Sequence, residues 1–316
     1  MRFAHLFADE NPSPRLAVIE AVGAEVSEWH ALFLDELMDA PPADSQALIE
    51  RGQAGLDEVR AAVAQIAADD PRRHPVDGYH FASASLRPPL ILAIGLNYAA
   101  HSSELGLQTD STPTVFSLWP NSLAGHEGTT VWPRTISETV DYEAELGVII
   151  GTPARNVATE DALDHVWGYT VVNDITARDI QFSEAQWSRC KSFDGFTPTG
   201  PLLVTADEIP DPQALHIGTV IDGHTVQDAS TGQMVRSVAT LIAHLSQSTT
   251  LLPGTLISTG SPGGAGYSRE PQIFLRDRST VTVSVEGVGS LTTHCRIVEY
   301  FRARAVSSGR AARPRR

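Results

Sequence analysis

The stretch Asp141-Tyr142-Glu143-Ala144-Glu145 sets carboxylates at alternate positions and then runs into an apolar segment, Leu146 to Ile150. Alternate residues of a strand share a face, so Glu143 and Glu145 point one way while Tyr142, Ala144, Leu146 and Val148 pack on the other. Two carboxylates held that close repel, and each raises the other's pKa unless a cation stands between them. Hard divalent ions, Mg²⁺, Mn²⁺ or Ca²⁺, take this kind of oxygen set. The plainer alternative is a solvated strand end. Asp174, closing the strand-like WGYTVVND, is placed to supply a third carboxylate.

Two further features have chemical types and spacing. His101 and Glu104 lie three apart in NYAAHSSELG, a short helix closed by Gly106, and so share one face on which they can meet. A carboxylate that orients an imidazole and raises its basicity is half of a general-base pair; a surface ion pair is the alternative. Lys191 is the only lysine among 23 Lys and Arg residues. A compact ammonium suits a developing oxyanion in a tight site better than a guanidinium fork does, which points to a chemical role for Lys191. Arg178 and Asp179 read as structural, an internal ion pair.

The elements that must position these groups follow from pattern. Ile91 to Gly95 reads as a buried strand before the His101 helix. Thr159 to Val166 reads as a small helix, and ITARDIQ as a turn or helix after Asp174. Leu215 to Ile221 and His224 to Gln227 flank an Asp222–Gly223 hairpin turn, and Val235 to Ser246 is an apolar-faced helix. Leu256 to Gly266 is a strand entering a Gly-rich turn. No G-K-[ST] follows those glycines and G-x-G-x-x-G is absent, so a phosphate loop is excluded; a turn bringing N–H groups and Thr259 to a carboxylate fits better. Upstream, Arg15–Glu20 and Ala24–Trp29 read as strands, and a helix capped by Asp44 or Ser45 runs to Ala68, weakened by Gly52 and Gly55. The polar stretch 69–79 and the prolines at 88 and 89 mark a linker.

The whole chain has 316 residues, 42% hydrophobic and 19% charged, with a formal net charge of -15. That charge argues against nucleic-acid and acidic-membrane partners. Two cysteines, Cys190 and Cys295, are too few for a disulfide scaffold. No apolar run reaches the roughly 18 residues of a membrane span, and the opening MRFAHLFADENP lacks a secretory layout. A cytoplasmic protein is expected.

From about Leu90 to Tyr300 the motifs GLNYAAHSSEL, DYEAELGVIIG, GYTVVNDITARDIQ, KSFDGFTPTGP, LLPGTLISTGSPGGAG and EGVGSL, in this order, resemble the fumarylacetoacetate hydrolase (FAH) superfamily, near its bacterial acylpyruvate and fumarylpyruvate hydrolases. The resemblance implies an α+β, β-rich fold: a mixed β-roll or β-sandwich catalytic core over 90–303, a small N-terminal α/β module over 1–80 and an Arg-rich tail, disordered, over 304–316. It implies a homodimer acting on a small 2-oxo acid. The counterparts of Glu143, Glu145 and Asp174 bind Mg²⁺ or Mn²⁺, those of His101 and Glu104 activate water, that of Lys191 stabilises an oxyanion, and those of Gln181 and Thr259 hold substrate. The implied reaction is hydrolysis of a carbon–carbon bond in a 2,4-dioxo acid, giving pyruvate and a carboxylic acid. An isomerase (tautomerase) or decarboxylase using a metal-stabilised enolate, and a non-enzymatic metal-binding structural protein, are the alternatives. The chain departs from the family at FSLWPNS, which puts Leu118 where relatives carry a lysine at the pocket rim, and at Arg278–Ser279, which replaces a Gly-Asp turn. Leu118 implies a substrate whose far end is apolar or neutral.

Overall fold

The computed structural model describes residues 1–21, 26–104 and 112–300. In chain order, strands Arg2–Ala8 (β1), Asn11–Ala21 (β2) and Trp29–Phe33 (β3) are followed by helices Ser45–Glu50 (α1) and Gly52–Val63 (α2). Strand Ile91–Gly95 (β4) leads to helix Ala99–Glu104 (α3), then to strands Thr114–Ser117 (β5), Gly128–Pro133 (β6), Ala144–Ile150 (β7) and Val166–Asn173 (β8). Helix Arg178–Ser183 (α4) precedes strand Thr197–Thr205 (β9) and the hairpin His216–Ile221 (β10) and His224–Ser230 (β11). Helix Val238–Ser248 (α5) and strands Leu256–Ser258 (β12), Thr280–Val285 (β13) and Gly289–Val298 (β14) complete the described chain.

Two sheets carry the architecture. The larger has twelve strands, with β3, β2, β1, β9, β8, β7, β12, β4 and β5 in spatial order along its main path. Both of its faces are covered, and the period-2 alternation sorts side chains between two apolar clusters. Ala4, Leu6, Ala17, Ile19, Leu146 and Val148 go to one cluster, and Phe3, Leu16, Val18, Ile149 and Val172 to the other. The second sheet, in the order β11, β10, β13, β14, β6, sends Ile217, Val281, Val283 and Leu291 into the first cluster. The result is the expected β-rich α+β sandwich. The N-terminal strands belong to the same large sheet as the motif-bearing region, because β1 pairs with β9 at Arg2↔Val204 and Phe3↔Leu203. The stretch read as a linker also enters the sheets: His74–Pro75 pairs with β3, and His80–Phe81 pairs with β1.

Local chemistry explains where element boundaries shift. Asp44 caps α1 as expected, accepting from the Ala47 N–H at 2.8 Å. The single helix expected to reach Ala68 is instead two, because Gly52 takes φ +61°, a left-handed conformation that ends α1 before α2 starts. Ser237 caps α5, so that helix begins at Val238 rather than Val235. Trp29 opens β3 after a turn at Val26–Glu28, later than the strand expected from Ala24. Residues 22–25, Gly106 and the tail from Arg302 lie outside the described residues. Among the described residues, no helix is long and apolar enough to cross a membrane.

Candidate active site

Three backbone facts bring the carboxylates together. Glu145 on β7 and Glu143, just before it, share the face opposite the core residues Leu146 and Val148. β7 pairs antiparallel with β8, setting Ala144 against Asn173, and the Asp174 N–H donates to the Glu143 carbonyl at 3.0 Å. Carboxylate oxygens of Glu143, Glu145 and Asp174 consequently lie within 4.8 Å of one another, all three side chains buried.

Two cations are built into this cluster. The Lys191 ammonium donates to Glu143 Oε2 at 2.6 Å, to Asp174 Oδ2 at 2.5 Å and to Thr176 Oγ1 at 2.8 Å. All three of its donors are thereby engaged. Arg178, fully buried, donates to Asp141 Oδ1 at 2.6 Å, Glu143 Oε1 at 2.7 Å and Gln181 Oε1 at 2.8 Å. The internal ion pair expected at Arg178 exists, but its partners are Asp141 and Glu143; Asp179 accepts from the Ser137 hydroxyl instead. Glu145 has no cation. It accepts from the Ser258 hydroxyl and from the Gly260 N–H at 2.9 Å.

Buried charge is not balanced by these groups. Four buried carboxylates, Asp141, Glu143, Glu145 and Asp174, face two buried permanent cations, Arg178 and Lys191. Burial disfavours every carboxylate anion here. For Glu143 the Lys191 and Arg178 charges outweigh burial and hold the carboxyl well below its usual range. Glu145 moves the other way, pushed well above that range by burial and then by the Asp174 and Glu143 charges. Burial, only partly opposed by Lys191, pushes Asp174 up to about 6. Burial works against the Lys191 charge too, but Asp174 and Glu143 hold its pKa above that of an ordinary ammonium. Asp174 Oδ1 is buried with no partner. An all-oxygen donor set with excess negative charge and an orphaned carboxylate oxygen fits a hard divalent cation.

His101 stands beside the cluster. Its Nε2 lies 3.2 Å from Glu143 Oε1, and its Nδ1 is buried without a partner. A carboxylate only accepts, so Nε2 carries the hydrogen and Nδ1 of the neutral ring presents a lone pair. The turn that aims α3 this way is tight: Leu96, at the end of β4, takes φ +58°.

Three expected site residues sit elsewhere. Glu104 is not brought to His101; its carboxylate accepts from the Gly264 N–H at 3.0 and 2.9 Å and from the Ser268 hydroxyl at 3.0 Å. The Gly-rich loop offers an N–H and a hydroxyl at the exposed end of α3, and Glu143 takes over the imidazole. Thr259 does not face the site either, since its N–H and hydroxyl both bond to the Leu146 carbonyl and prolong the β12–β7 ladder. Leu118 is buried in the second apolar cluster with Ile91 and Leu256 and takes no part in the cavity lining. Gln181 is where it was expected, lining the cavity with its carbonyl held by Arg178.

The cavity is small and enclosed, with about 10 Å³ of free room, and the carboxylates, His101, Lys191 and Gln181 share it with Phe116 and Trp187. A larger open groove of about 390 Å³ lies along Val131, Ile136, Phe193 and Tyr300. Its charged lining is Arg189, paired with Glu184, and Asp194, which accepts from Asn121, so it holds no comparable chemistry. Sequence reasoning missed Phe116 and Trp187 as cavity walls. The one available signal was Gly95 at a strand end, which leaves room for the indole.

A Burkholderia ambifaria protein named as a candidate hydrolase is 42% identical over 233 residues, covering 72% of this chain and 82% of the relative. The maleylpyruvate hydrolase of Sphingobium sp. SYK-6 superposes with a TM-score of 0.76 at 26% identity, over 94% of this chain and all of that one. The 5-carboxymethyl-2-hydroxymuconate delta-isomerase of Mycobacterium smegmatis does so with a TM-score of 0.72 at 26% identity, over 94% and 99%. Residues 90–296, which hold every carboxylate and cation of the site, match the C-terminal domain model of fumarylacetoacetate (FAA) hydrolase, and the chain belongs to the fumarylacetoacetate hydrolase family.

Proposed function

We propose that this chain is a divalent-metal-dependent hydrolase that cleaves a carbon–carbon bond in a 2,4-dioxo acid of the acylpyruvate or fumarylpyruvate type. The observation that carries this reading is His101. Its buried, unpartnered Nδ1 lies beside a carboxylate triad that would hold Mg²⁺ or Mn²⁺ through Glu143, Glu145 and Asp174. When bound, such an ion supplies Lewis-acid polarisation of the 2-oxo acid. His101 takes a proton from water at Nδ1, and the Glu143 carboxylate at Nε2 stabilises the imidazolium that forms. The water oxygen bonds to C4, and Lys191, re-aiming the donor now given to the neutral Thr176 hydroxyl, meets the oxyanion. The C3–C4 bond then breaks with its electron pair on C3, which takes up the proton His101 removed from the water, giving pyruvate and a carboxylic acid. Gln181, its carbonyl held by Arg178, leaves its amide N–H groups as donors to substrate.

A metal-dependent isomerisation is the second reading. It is favoured by Glu104, which faces the Gly264 loop instead of orienting His101. The test is turnover of an alkyl acylpyruvate in ¹⁸O-water with Mg²⁺, with and without EDTA. One labelled oxygen in the acid product, lost with EDTA and with His101→Ala, is expected. Unlabelled product, or a rearranged dioxo acid with no pyruvate, would transfer the assignment to the isomerase.

A further inference from the structure

The second sheet reaches the candidate site through one side chain, Gln227 of β11. It is buried, opposite Thr219 across the hairpin, and its amide makes four hydrogen bonds. Oε1 accepts from the Ala144 N–H at 2.9 Å and from the Thr219 hydroxyl at 2.8 Å. Nε2 donates to Ser261 Oγ and to the Pro262 carbonyl, both at 2.9 Å. The Ala144 N–H can only donate and the Pro262 carbonyl can only accept, so the amide has one orientation. Beside it, Arg269 donates to the Val226 carbonyl, and a Cβ at Gly264 would come within 2.5 Å of that oxygen. The Gly-rich loop is thus packed down on β11 next to Gln227.

These contacts fall on both sides of Glu145. β12 pairs with β7 down to Gly147, and the Thr259 N–H adds a bond to the Leu146 carbonyl before the loop turns away. Ala144 presents its backbone on the same edge of β7 as Leu146, beyond the end of β12. Gln227 Oε1 takes the place of a strand carbonyl there, where a buried N–H without a partner would be costly. Across the gap, Nε2 holds the loop at Ser261 and Pro262, just after Ser258 and Gly260, whose hydroxyl and N–H hold Glu145 Oε2. The Lys191 ammonium places Glu143 and Asp174, whereas these neutral donors place Glu145. The position of Glu145 therefore follows the spacing between the strand that carries it and the loop that grips it. Gln227 is bonded to both.

Resting on the reading of Glu143, Glu145 and Asp174 as ligands of a divalent cation, we infer that Gln227 is a positioning residue of the site. It spans the gap where β7 and the Gly-rich loop part, and so fixes Glu145 relative to the other two carboxylates. The second sheet then sets the geometry of the donor cluster as well as covering the core. Residues that orient metal ligands from outside commonly govern affinity about 10- to 100-fold when removed.

The experiment measures Mg²⁺ and Mn²⁺ binding by calorimetry, and stability by urea unfolding, for wild type and three variants stripped with EDTA. Gln227→Met keeps the length of the side chain and removes all four bonds. Thr219→Val removes only the hydroxyl bonded to Oε1, and it decides the question by itself if Gln227→Met does not fold. Thr231→Val is the comparator: its hydroxyl bonds the Leu215 N–H and carbonyl at the open end of the same hairpin, so it loosens the sheet without touching β7 or the loop. Gln227→Met is expected to bind Mg²⁺ at least about tenfold more weakly, Thr219→Val to weaken it by less, and Thr231→Val to lose stability at wild-type affinity. Unchanged affinity in the folded Gln227 and Thr219 variants, or an equal loss in Thr231→Val, would overturn the positioning role. Weaker Mg²⁺ binding in Gln227→Met, together with a wild type that leaves an alkyl acylpyruvate intact, would overturn the hydrolase reading and leave the positioning role standing. A wild type that binds neither ion would overturn both.

Discussion

Lys191 ties the stability of the buried carboxylates to the chemistry proposed for the site. Its side chain is 3% exposed, and the ammonium lies between two carboxylates that burial alone would neutralise. Removing one partner of a buried ion pair leaves the other charge unpaired in a poor solvent, which costs far more than the pair itself contributes. Lys191→Met is therefore expected to lower unfolding free energy by about 3–5 kcal/mol, read from urea denaturation without metal. A loss of about 1 kcal/mol or less, the size of an exposed pair, would mean that the carboxylates find another counter-charge. Lys191→Arg keeps the charge but not the shape, and its loss should fall on kcat, on the order of 10²-fold. That Glu143, Glu145, Asp174, His101 and Lys191 would cluster was legible in the sequence because alternation, strand ends and a single lysine among arginines are local features. Glu104, Thr259 and Leu118 were not, because each is decided by a partner distant in sequence: Gly264, Leu146 and the second apolar cluster.

At the scale of elements, strands were read well wherever apolar alternation was uninterrupted, as in β7, β8 and the hairpin of β10 and β11. Asp222 and Gly223 take φ +47° and +85°, as a two-residue hairpin turn with the strands' twist demands. Boundaries failed where one backbone torsion overruled a longer pattern, as Gly52 did within the expected helix. Arg278 is the converse case. It is not a glycine, yet it takes φ +71°, and its side chain is 92% exposed, with Asp277 beside it. A left-handed conformation costs an L-residue roughly 1–2 kcal/mol, which glycine avoids at some expense in unfolded-state entropy. Arg278→Gly should thus stabilise the protein by about 0.5–1 kcal/mol, measured as a shift in urea midpoint at unchanged m-value. A destabilised variant would show that the arginine makes a contact worth more than the strain.

Over the whole molecule, the continuity between the N-terminal strands and the site-bearing sheet concentrates at His5, on β1. The ring is almost fully buried and ties three segments together: Nδ1–H donates to the Ser83 carbonyl at 3.0 Å, and Nε2 accepts from the Ser45 N–H at 3.0 Å. Ser45 opens α1, so one imidazole joins the first strand, the first helix and the segment that leads into β4. Both contacts require the neutral ring, because a proton on Nε2 would point at an N–H. Burial accordingly lowers the His5 pKa from 6.5 to about 4, against the smaller opposing effects of the Ser83 carbonyl and the Asp44 charge. The unfolded chain thus binds a proton that the folded one refuses. The stability His5 contributes is fully present above pH 6.5 and is lost as the pH falls from 6.5 toward 4. The loss over that window is about 3 kcal/mol. Carboxylates titrate in part of the same range, so the measurement is a difference: unfolding free energy of wild type and His5→Gln at pH 7.5, 6.5, 5.5 and 4.5 (about one unit apart, from above the unfolded value toward the folded one). The glutamine can make both contacts at every pH, and the gap between the two proteins should shift in favour of His5→Gln as the pH drops. Parallel curves would show that the imidazole protonates without opening the joint between strand and helix.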